Sequence, residues 1–143
     1  MIFSFGQSEH ERIAIDVVSY ERPTSGDYDD DNWVVTQIEV RVRGFKGKAR
    51  AALRTTELIE FGSKLRPLHE TLSGTAEFTT LEGQSHLQLE GDGKGPINLK
   101  GEVMDQAGVG NRLHFSLEFD QSRLADSVRD LDAVISKFPV RSR

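Results

Sequence analysis

Short runs in which apolar and polar residues alternate recur along this chain, and they restrict its possible folds more than any other feature. One run covers residues 12–17, and a longer one covers residues 34–43. A period of two gives a strand one apolar and one polar face, so each run predicts a strand that is buried on one side. Glycine, proline and aspartate cluster between the runs, as in the turns of antiparallel sheets. Later runs of the same kind are centred on Phe78, Leu89, Leu99 and Phe115.

A hairpin is predicted where the run at residues 34–43 meets the basic run that follows it. With residues 44–47 as the turn, Arg41 lies opposite Arg50 on the polar face. Arg43 then lies opposite Lys48 on the same face. A shift of one residue would mix the apolar and polar faces, so the alternation supports a pairing that keeps them apart.

A first amphipathic helix is predicted after this hairpin, starting at Thr55 or Thr56 as its cap. Pro67 lies inside the pattern and is expected to kink or shorten the helix, because proline has no backbone N–H. Gly74 follows the last periodic residue and is expected to end it. The apolar stripe of this helix consists of Leu58, Phe61, Leu65, Leu68 and Leu72.

A second helix is predicted near the end of the chain, opening at Asp120 or Ser122 and stopping at Pro139. The basic tail, residues 141–143, is expected to fray. Antiparallel strands with helices over one face make an α+β protein. The sequence therefore predicts one α+β domain over residues 1–143, with an antiparallel sheet of about seven to eight strands and two helices packed on one face. The second stripe consists of Leu124, Val128, Leu131, Ile135 and Phe138.

Composition narrows the classes of function. The chain has 143 residues and no cysteine, so it has no disulfides and no thiolate chemistry. Residues 1–7 lack the basic flank and apolar block of a signal peptide, and no apolar stretch is long enough to span a membrane. These features predict a cytoplasmic protein. The net charge of −5 argues against nucleic-acid binding through the whole surface.

The sequence shows no complete catalytic or metal-binding motif. Residues 91–96 look like a glycine-rich nucleotide loop, but a strand follows where a phosphate-binding loop needs a helix. The acidic loop has alternate aspartates like a calcium loop, yet Asn32 and Ile38 occupy the positions of the required glycine and glutamate. No Gly-x-Ser-x-Gly motif is present. We therefore predict no catalytic residues, no metal and no cofactor. The histidines, which lack zinc-site spacing, are His10, His69, His86 and His114.

Two charged stretches could bind a partner. The basic stretch on the hairpin is a possible anion-binding site, and a nucleic-acid or small-ligand reading of residues 41–54 stays open, although Phe45 is the one aromatic residue there that could stack on a base. The acidic stretch has two flanking aromatic residues, which is typical of protein interfaces. A purely structural role for the tryptophan at a sheet edge is an equal alternative. The possible anion-binding residues are Arg41, Arg43, Lys48 and Arg50. The partner-binding candidates are Asp27, Tyr28, Asp29, Asp30, Asp31 and Trp33.

Four short segments, taken in order, carry a family resemblance. They are the Met1-Ile2-Phe3 start, the acidic loop running into Asp31-Asn32-Trp33-Val34, the Leu58–Phe61 helix after a hairpin, and the strand from Leu113 to Phe119 leading into Asp120-Gln121 and Leu124. In this order the chain resembles the WapI-type immunity proteins of bacterial contact-dependent toxin systems.

The resemblance implies a cytoplasmic antitoxin that is not an enzyme. Such a protein binds a toxin domain, here expected to be a nuclease, and covers its substrate site. An acidic partner would suit the cationic cleft of a nuclease, which assigns the contact to the acidic stretch. A protein-interaction domain of another system, and a site assembled only in space, are the alternatives left open. The sequence does not determine the oligomeric state.

Overall fold

The alternating runs form eight strands in the computed structural model, which describes residues 1–142. Three helices join them, one of only four residues. Strand β1 was not among the predicted strands, although the alternation of Phe3 and Phe5 with small residues is a signal for it. The elements are β1 (Ile2–Ser8), β2 (Glu11–Tyr20), α1 (Tyr28–Asp31), β3 (Trp33–Val42), β4 (Phe45–Arg54), α2 (Thr55–Thr71), β5 (Ser73–Thr79), β6 (Ser85–Asp92), β7 (Ile97–Met104), β8 (Arg112–Phe119) and α3 (Gln121–Lys137).

The strands divide into two antiparallel sheets of four, each with its strands in chain order. The first sheet runs β1-β2-β3-β4 and the second β5-β6-β7-β8. The predicted α+β class with about eight antiparallel strands is thus confirmed, and the division into two sheets is an addition to it. Each sheet is followed directly by a helix of 17 residues.

The register of the β3–β4 hairpin differs from the predicted one. The turn is Arg43 and the glycine after it, not residues 44–47, because β3 continues to Val42 and pairs it with Phe45. Arg43 has φ 57°, the left-handed conformation that two-residue hairpin turns use to match the twist of the strands. The shift is even, so each side chain stays on its predicted face, but the partners change. Lys48 now lies opposite Glu39.

Helix α2 begins with a cap other than the predicted threonines. The N-cap residue is Arg54, whose backbone N–H donates to Oε1 of Glu57 at 2.7 Å. The other oxygen of Glu57 accepts the N–H of Leu81, in the loop between β5 and β6, at 2.6 Å. A carboxylate at the third helical position therefore closes the helix start and ties it to the second sheet.

The other end of α2 also differs from the prediction. The helix continues through Pro67 to Thr71, because proline removes one backbone hydrogen bond while Leu68 beyond it is buried in the core. Leu72, with φ 59°, takes the left-handed position that was predicted for Gly74.

The core joins the two halves of the chain. Helix α2 packs on β5 and helix α3 packs on β1, so each helix covers the first strand of the other half. Leu65 and Leu131, at the centres of the two predicted stripes, are 0% and 1% exposed, which confirms both stripes. Phe61 lies 5.7 Å from Phe5 and 4.9 Å from Phe78, measured between ring centres. One hydrophobic cluster thus connects both sheets and both long helices.

The end of the chain packs against the first half as far as it is described. The backbone N–H of Arg141 donates to Oδ1 of Asn32 at 2.7 Å, and its guanidinium lies 3.5 Å above the ring of Tyr20. The predicted fraying is therefore wrong for Arg141, while Arg143 lies outside the described residues. Among residues 1–142, no helix has the length and apolar character needed to cross a membrane.

Candidate functional site

The acidic candidates lie on α1, a single helical turn between β2 and β3. Asp27 is its N-cap, and Oδ1 of this residue accepts the backbone N–H groups of Asp29 at 3.0 Å and Asp30 at 3.1 Å. The side chains of Asp29 and Asp30 are exposed, and Asp30 lies 3.5 Å from the guanidinium of Arg22. We call residues 27–31 the acidic segment. Its exposed carboxylates are held on a defined backbone.

Asp31 differs from the other aspartates because its residue is only 2% exposed. Its carboxylate accepts the hydroxyl of Ser25 at 2.7 Å, the N–H of Ser25 at 2.8 Å and the N–H of Gly26 at 3.0 Å. The hydroxyl bond, then these two backbone bonds and the charge of Arg141, hold the pKa of Asp31 below its usual 3.8, against the effect of burial. Asp31 thus holds the backbone of the acidic segment against residues 25 and 26.

Asn32 connects the acidic segment to the rest of the molecule, a role that sequence reasoning missed. Its Nδ2 donates to the carbonyl of Tyr28 at 2.7 Å and to that of Arg141 at 3.1 Å. Its Oδ1 accepts the hydroxyl of Thr55 at 3.1 Å as well as the N–H of Arg141. An asparagine just after a helical turn is a signal for a cap, but its distant partners have no sequence signal.

Of the two aromatic candidates, one lies within the acidic segment and the other follows it after Asn32. Tyr28 is the first residue of α1, and Trp33 is the first residue of β3, paired with Arg54. Both residues are half-buried. All six sequence-predicted partner residues therefore lie in one continuous stretch, with Asp31 inside it.

The basic candidates form no continuous cationic ladder. Glu39 lies 2.7 Å from the guanidinium of Arg41 and 3.7 Å from the ammonium of Lys48. Arg43 lies in the turn, 3.7 Å from Glu11. Arg50 lies opposite Gln37 and has no ion pair with any residue from 1 to 142. The corrected register explains this pattern, because it places an acid opposite Lys48 where Arg43 had been expected.

The outer face of the second sheet carries a row of titratable side chains. His86, Glu102 and His114 lie opposite one another on β6, β7 and β8. Glu77 lies 2.6 Å from His86, and Glu102 accepts a hydrogen bond from Arg112. That bond and the charge of Arg112, with smaller electrostatic contributions from His114 and His86, hold the pKa of Glu102 below its usual 4.5, against the effect of burial. In the described part of the chain, no three such side chains converge as a metal ion would require.

The family of the protein follows from a comparison with known families. The model of the Immunity protein WapI-like family matches residues 3–139, nearly the whole chain. The chain therefore belongs to this family, and the predicted resemblance is confirmed. A family of immunity proteins implies a protein-binding role that neutralises a toxin, and such families are generally not enzymes. A comparison with curated proteins finds no match.

Proposed function

We propose that this chain is a bacterial immunity protein that acts in the cytoplasm, without catalysis of its own, and binds a nuclease toxin through the acidic segment. The family match over residues 3–139 is the observation that carries the proposal. The binding surface is argued separately, from the charges and contacts around α1.

The acidic segment has the properties that a nuclease inhibitor needs. A nuclease attracts nucleic acid with a cationic cleft, and carboxylates that face such a cleft accelerate association and disfavour wrong partners. Asp29 and Asp30 are exposed, while the bonds of Asp27 and Asp31 fix the backbone beneath them. A fixed backbone lowers the entropy that is lost on binding.

The aromatic neighbours supply the apolar part of the proposed contact. Tyr28 and Trp33 are half-buried and lie on either side of Asp29, Asp30 and Asp31 in the sequence. Aromatic side chains at the centre of an interface commonly contribute most of its binding energy, and charges around them set specificity. We therefore expect Trp33 to carry affinity and Asp29 and Asp30 to carry the salt dependence.

The test uses the cognate toxin domain, sought in the gene directly beside this one and purified both in active form, for cleavage assays, and as a catalytically inactive variant, for binding. Its affinity for the wild-type chain and for Asp29→Asn/Asp30→Asn is measured by calorimetry at several salt concentrations. We expect the double variant to bind about tenfold more weakly at low salt, with a smaller salt dependence. Asp27 and Asp31 are left unchanged because they hold the backbone.

The matched control removes two charges elsewhere, with Glu82→Gln/Glu90→Gln on the second half of the chain. Both residues are exposed, and we expect this variant to bind like the wild type. Equal weakening in both double variants would show a general charge effect and reject the acidic segment as the contact. If the wild-type chain neither binds the toxin domain nor blocks its cleavage of nucleic acid, the proposed function itself is wrong.

A further inference from the structure

The free edge of β8 differs from the other three outer edges of the two sheets. Helix α2 packs along β5, and helix α3 packs along β1. On the edge of β4, the carbonyl of Arg50 accepts Nε2 of Gln84 at 3.0 Å, and the exposed side chains of Lys46 and Lys48 add charge. Such lysines discourage pairing with another strand. Strand β8 contains neither lysine nor proline.

The backbone groups on this free edge can be assigned from the ladder. The N–H of Asp105 donates to the carbonyl of Asn111, which continues the β7–β8 ladder past the strand ends. Bonded pairs alternate in an antiparallel ladder, so the odd-numbered residues of β8 bond to β7. The N–H and C=O groups of His114, Ser116 and Glu118 therefore face the open edge. No hydrogen bond joins them to any other group within residues 1–142.

A groove of about 830 Å³ runs beside this edge. One side is lined by residues 113–118 of β8 and 98–100 of β7, and the other by the ends of β2, β3 and β4, including Val42 and Arg43. Phe45 lies on its rim and is 69% exposed. The groove thus separates the middle of this edge from the end of the first sheet, although β8 also contacts β1 and β3 of that sheet.

The sequence of β8 is complementary to itself when two copies run antiparallel about Ser116. His114 then lies opposite Glu118 of the second copy, and Arg112, which also contacts Glu102 of its own chain, lies opposite Asp120 of the second copy, the N-cap of α3. Opposite charges in directly facing positions stabilise a strand pair, and like charges destabilise it. Moving the centre of the pairing by one residue in either direction leaves two of these four side chains opposite a residue that is not complementary to them.

The apolar residues agree with the same centre. Phe115 then lies opposite Leu117 of the second copy, both on the face that each chain buries. The residues with free backbone groups also face one another, because the even-numbered positions meet the even-numbered positions. Charge, apolar packing and backbone hydrogen bonding thus specify one register.

We propose that two copies of this chain form a symmetric dimer through antiparallel pairing of β8, with the two-fold axis at Ser116. The pairing joins the second sheet of one copy to the second sheet of the other, which makes one continuous sheet of eight strands. Three residue pairs on the new ladder form about two hydrogen bonds each. The dimer presents two acidic segments. The proposal of a dimer does not depend on whether the toxin bound by those segments is a nuclease.

Disulfide trapping tests this register directly, because the natural chain has no cysteine. Ser116→Cys places two thiols across the axis, where the Cα atoms of a hydrogen-bonded pair are about 5.5 Å apart and a disulfide can form. The control is Gln88→Cys, an exposed position on the same face of the interior strand β6. We expect mild oxidation to convert most of the Ser116→Cys chain to a covalent dimer, while Gln88→Cys forms no covalent dimer. Equal rates of cross-linking would overturn the proposal.

Light scattering after gel filtration provides the second measurement, on chains without cysteine. We expect the wild type to have the mass of two chains and Ser116→Pro that of one. Its unfolding transition should be preserved, because proline on an edge strand removes only an N–H that has no partner in the single chain. A wild type with the mass of one chain at about 100 µM would contradict the dimer and leave toxin binding untouched.

A charge exchange tests the pairing even if the proline variant fails to fold. Glu118→Lys places a cation opposite His114 of the second copy. We expect this change to raise the dissociation constant of the dimer about tenfold. Adding His114→Glu restores opposite charges across the axis and should restore the dimer. If both variants have the wild-type dissociation constant, the β8 register is wrong.

Discussion

Gly101 shows how closely the second sheet is packed at the level of single atoms. It lies on β7 opposite Phe115, whose ring covers it, and a Cβ atom placed there would lie 2.3 Å from Cζ of the ring. We expect Gly101→Ala to lower the free energy of unfolding by about 1–3 kcal/mol, because the ring must leave its packed position. Urea denaturation measures this change.

The matched control is Gly47→Ala, also in a strand. A Cβ atom at Gly47 would lie 3.5 Å from Cδ2 of Leu113, an ordinary contact, so we expect a change within about 0.5 kcal/mol. Adding Phe115→Leu should recover part of the stability that Gly101→Ala loses. Equal effects of the two alanines would show that the ring does not set the cost.

Asp31 makes stability depend on acid in a defined direction. Its pKa in the folded chain lies below the usual 3.8, so the carboxylate stabilises the fold above that value, and this contribution is lost as the pH falls through the folded pKa. We expect Asp31→Asn to be less stable than the wild type at pH 7, with the difference shrinking below about pH 4. Thermal unfolding at several pH values measures it, with Asp29→Asn as the control.

The residue types of the site could be predicted from sequence, but their separate roles could not. The run of aspartates was evident, and aromatic neighbours suggested an interface. The burial of Asp31 depends on three donors from Ser25 and Gly26, which the loop brings together only when β2 and β3 pair. The contact of Asn32 with Arg141 spans 109 positions and has no local signal.

At the scale of elements, Glu57 couples a helix start to a distant loop. It is 5% exposed and accepts the N–H groups of Arg54 and Leu81. We expect Glu57→Ala to lower the free energy of unfolding by about 2–3 kcal/mol, because two backbone donors lose their acceptor. The control is Glu70→Ala, exposed on the same helix, for which about 0.5 kcal/mol or less is expected. If Glu57→Ala lowers the free energy of unfolding as little as Glu70→Ala does, water replaces the carboxylate as the acceptor.

The elements themselves were mostly predictable, because period and turn composition are local properties. Both helical stripes and the strands from β2 to β8 follow the patterns of their apolar residues. The predicted position of the β3–β4 turn was wrong because Arg43 adopts φ 57°, a conformation that glycine and asparagine favour and arginine does not. The predicted end of α2 at Gly74 was wrong for the same reason, because Leu72 takes the left-handed conformation. Both errors come from left-handed residues with no glycine to mark them.

At the scale of the whole molecule, the second half repeats the order of the first, four strands and then a helix. Neither half buries its own helix on its own first strand, since α2 packs on β5 and α3 on β1. We therefore expect the separate chains 1–72 and 73–143 to be unfolded alone and to regain the native circular dichroism spectrum when mixed. A cooperative unfolding transition in either half alone would contradict this.

The exchange of helices also explains why the sheet division was missed. Alternation shows that a strand has a buried face, but it does not show which element covers that face. The division after α2 depends on contacts such as Phe61 with Phe78, which form between the halves. Strand number is thus a local property of the sequence, and sheet membership is not.

The position of Trp33 has a practical consequence. It is the only tryptophan of the chain and lies half-buried two residues after Asp31, the end of the acidic segment, so its fluorescence originates at one known place. Its emission maximum depends on how much water surrounds the indole ring. A titration followed at that wavelength would therefore distinguish a molecule that covers this end of β3 from one that docks anywhere else, with no dye attached.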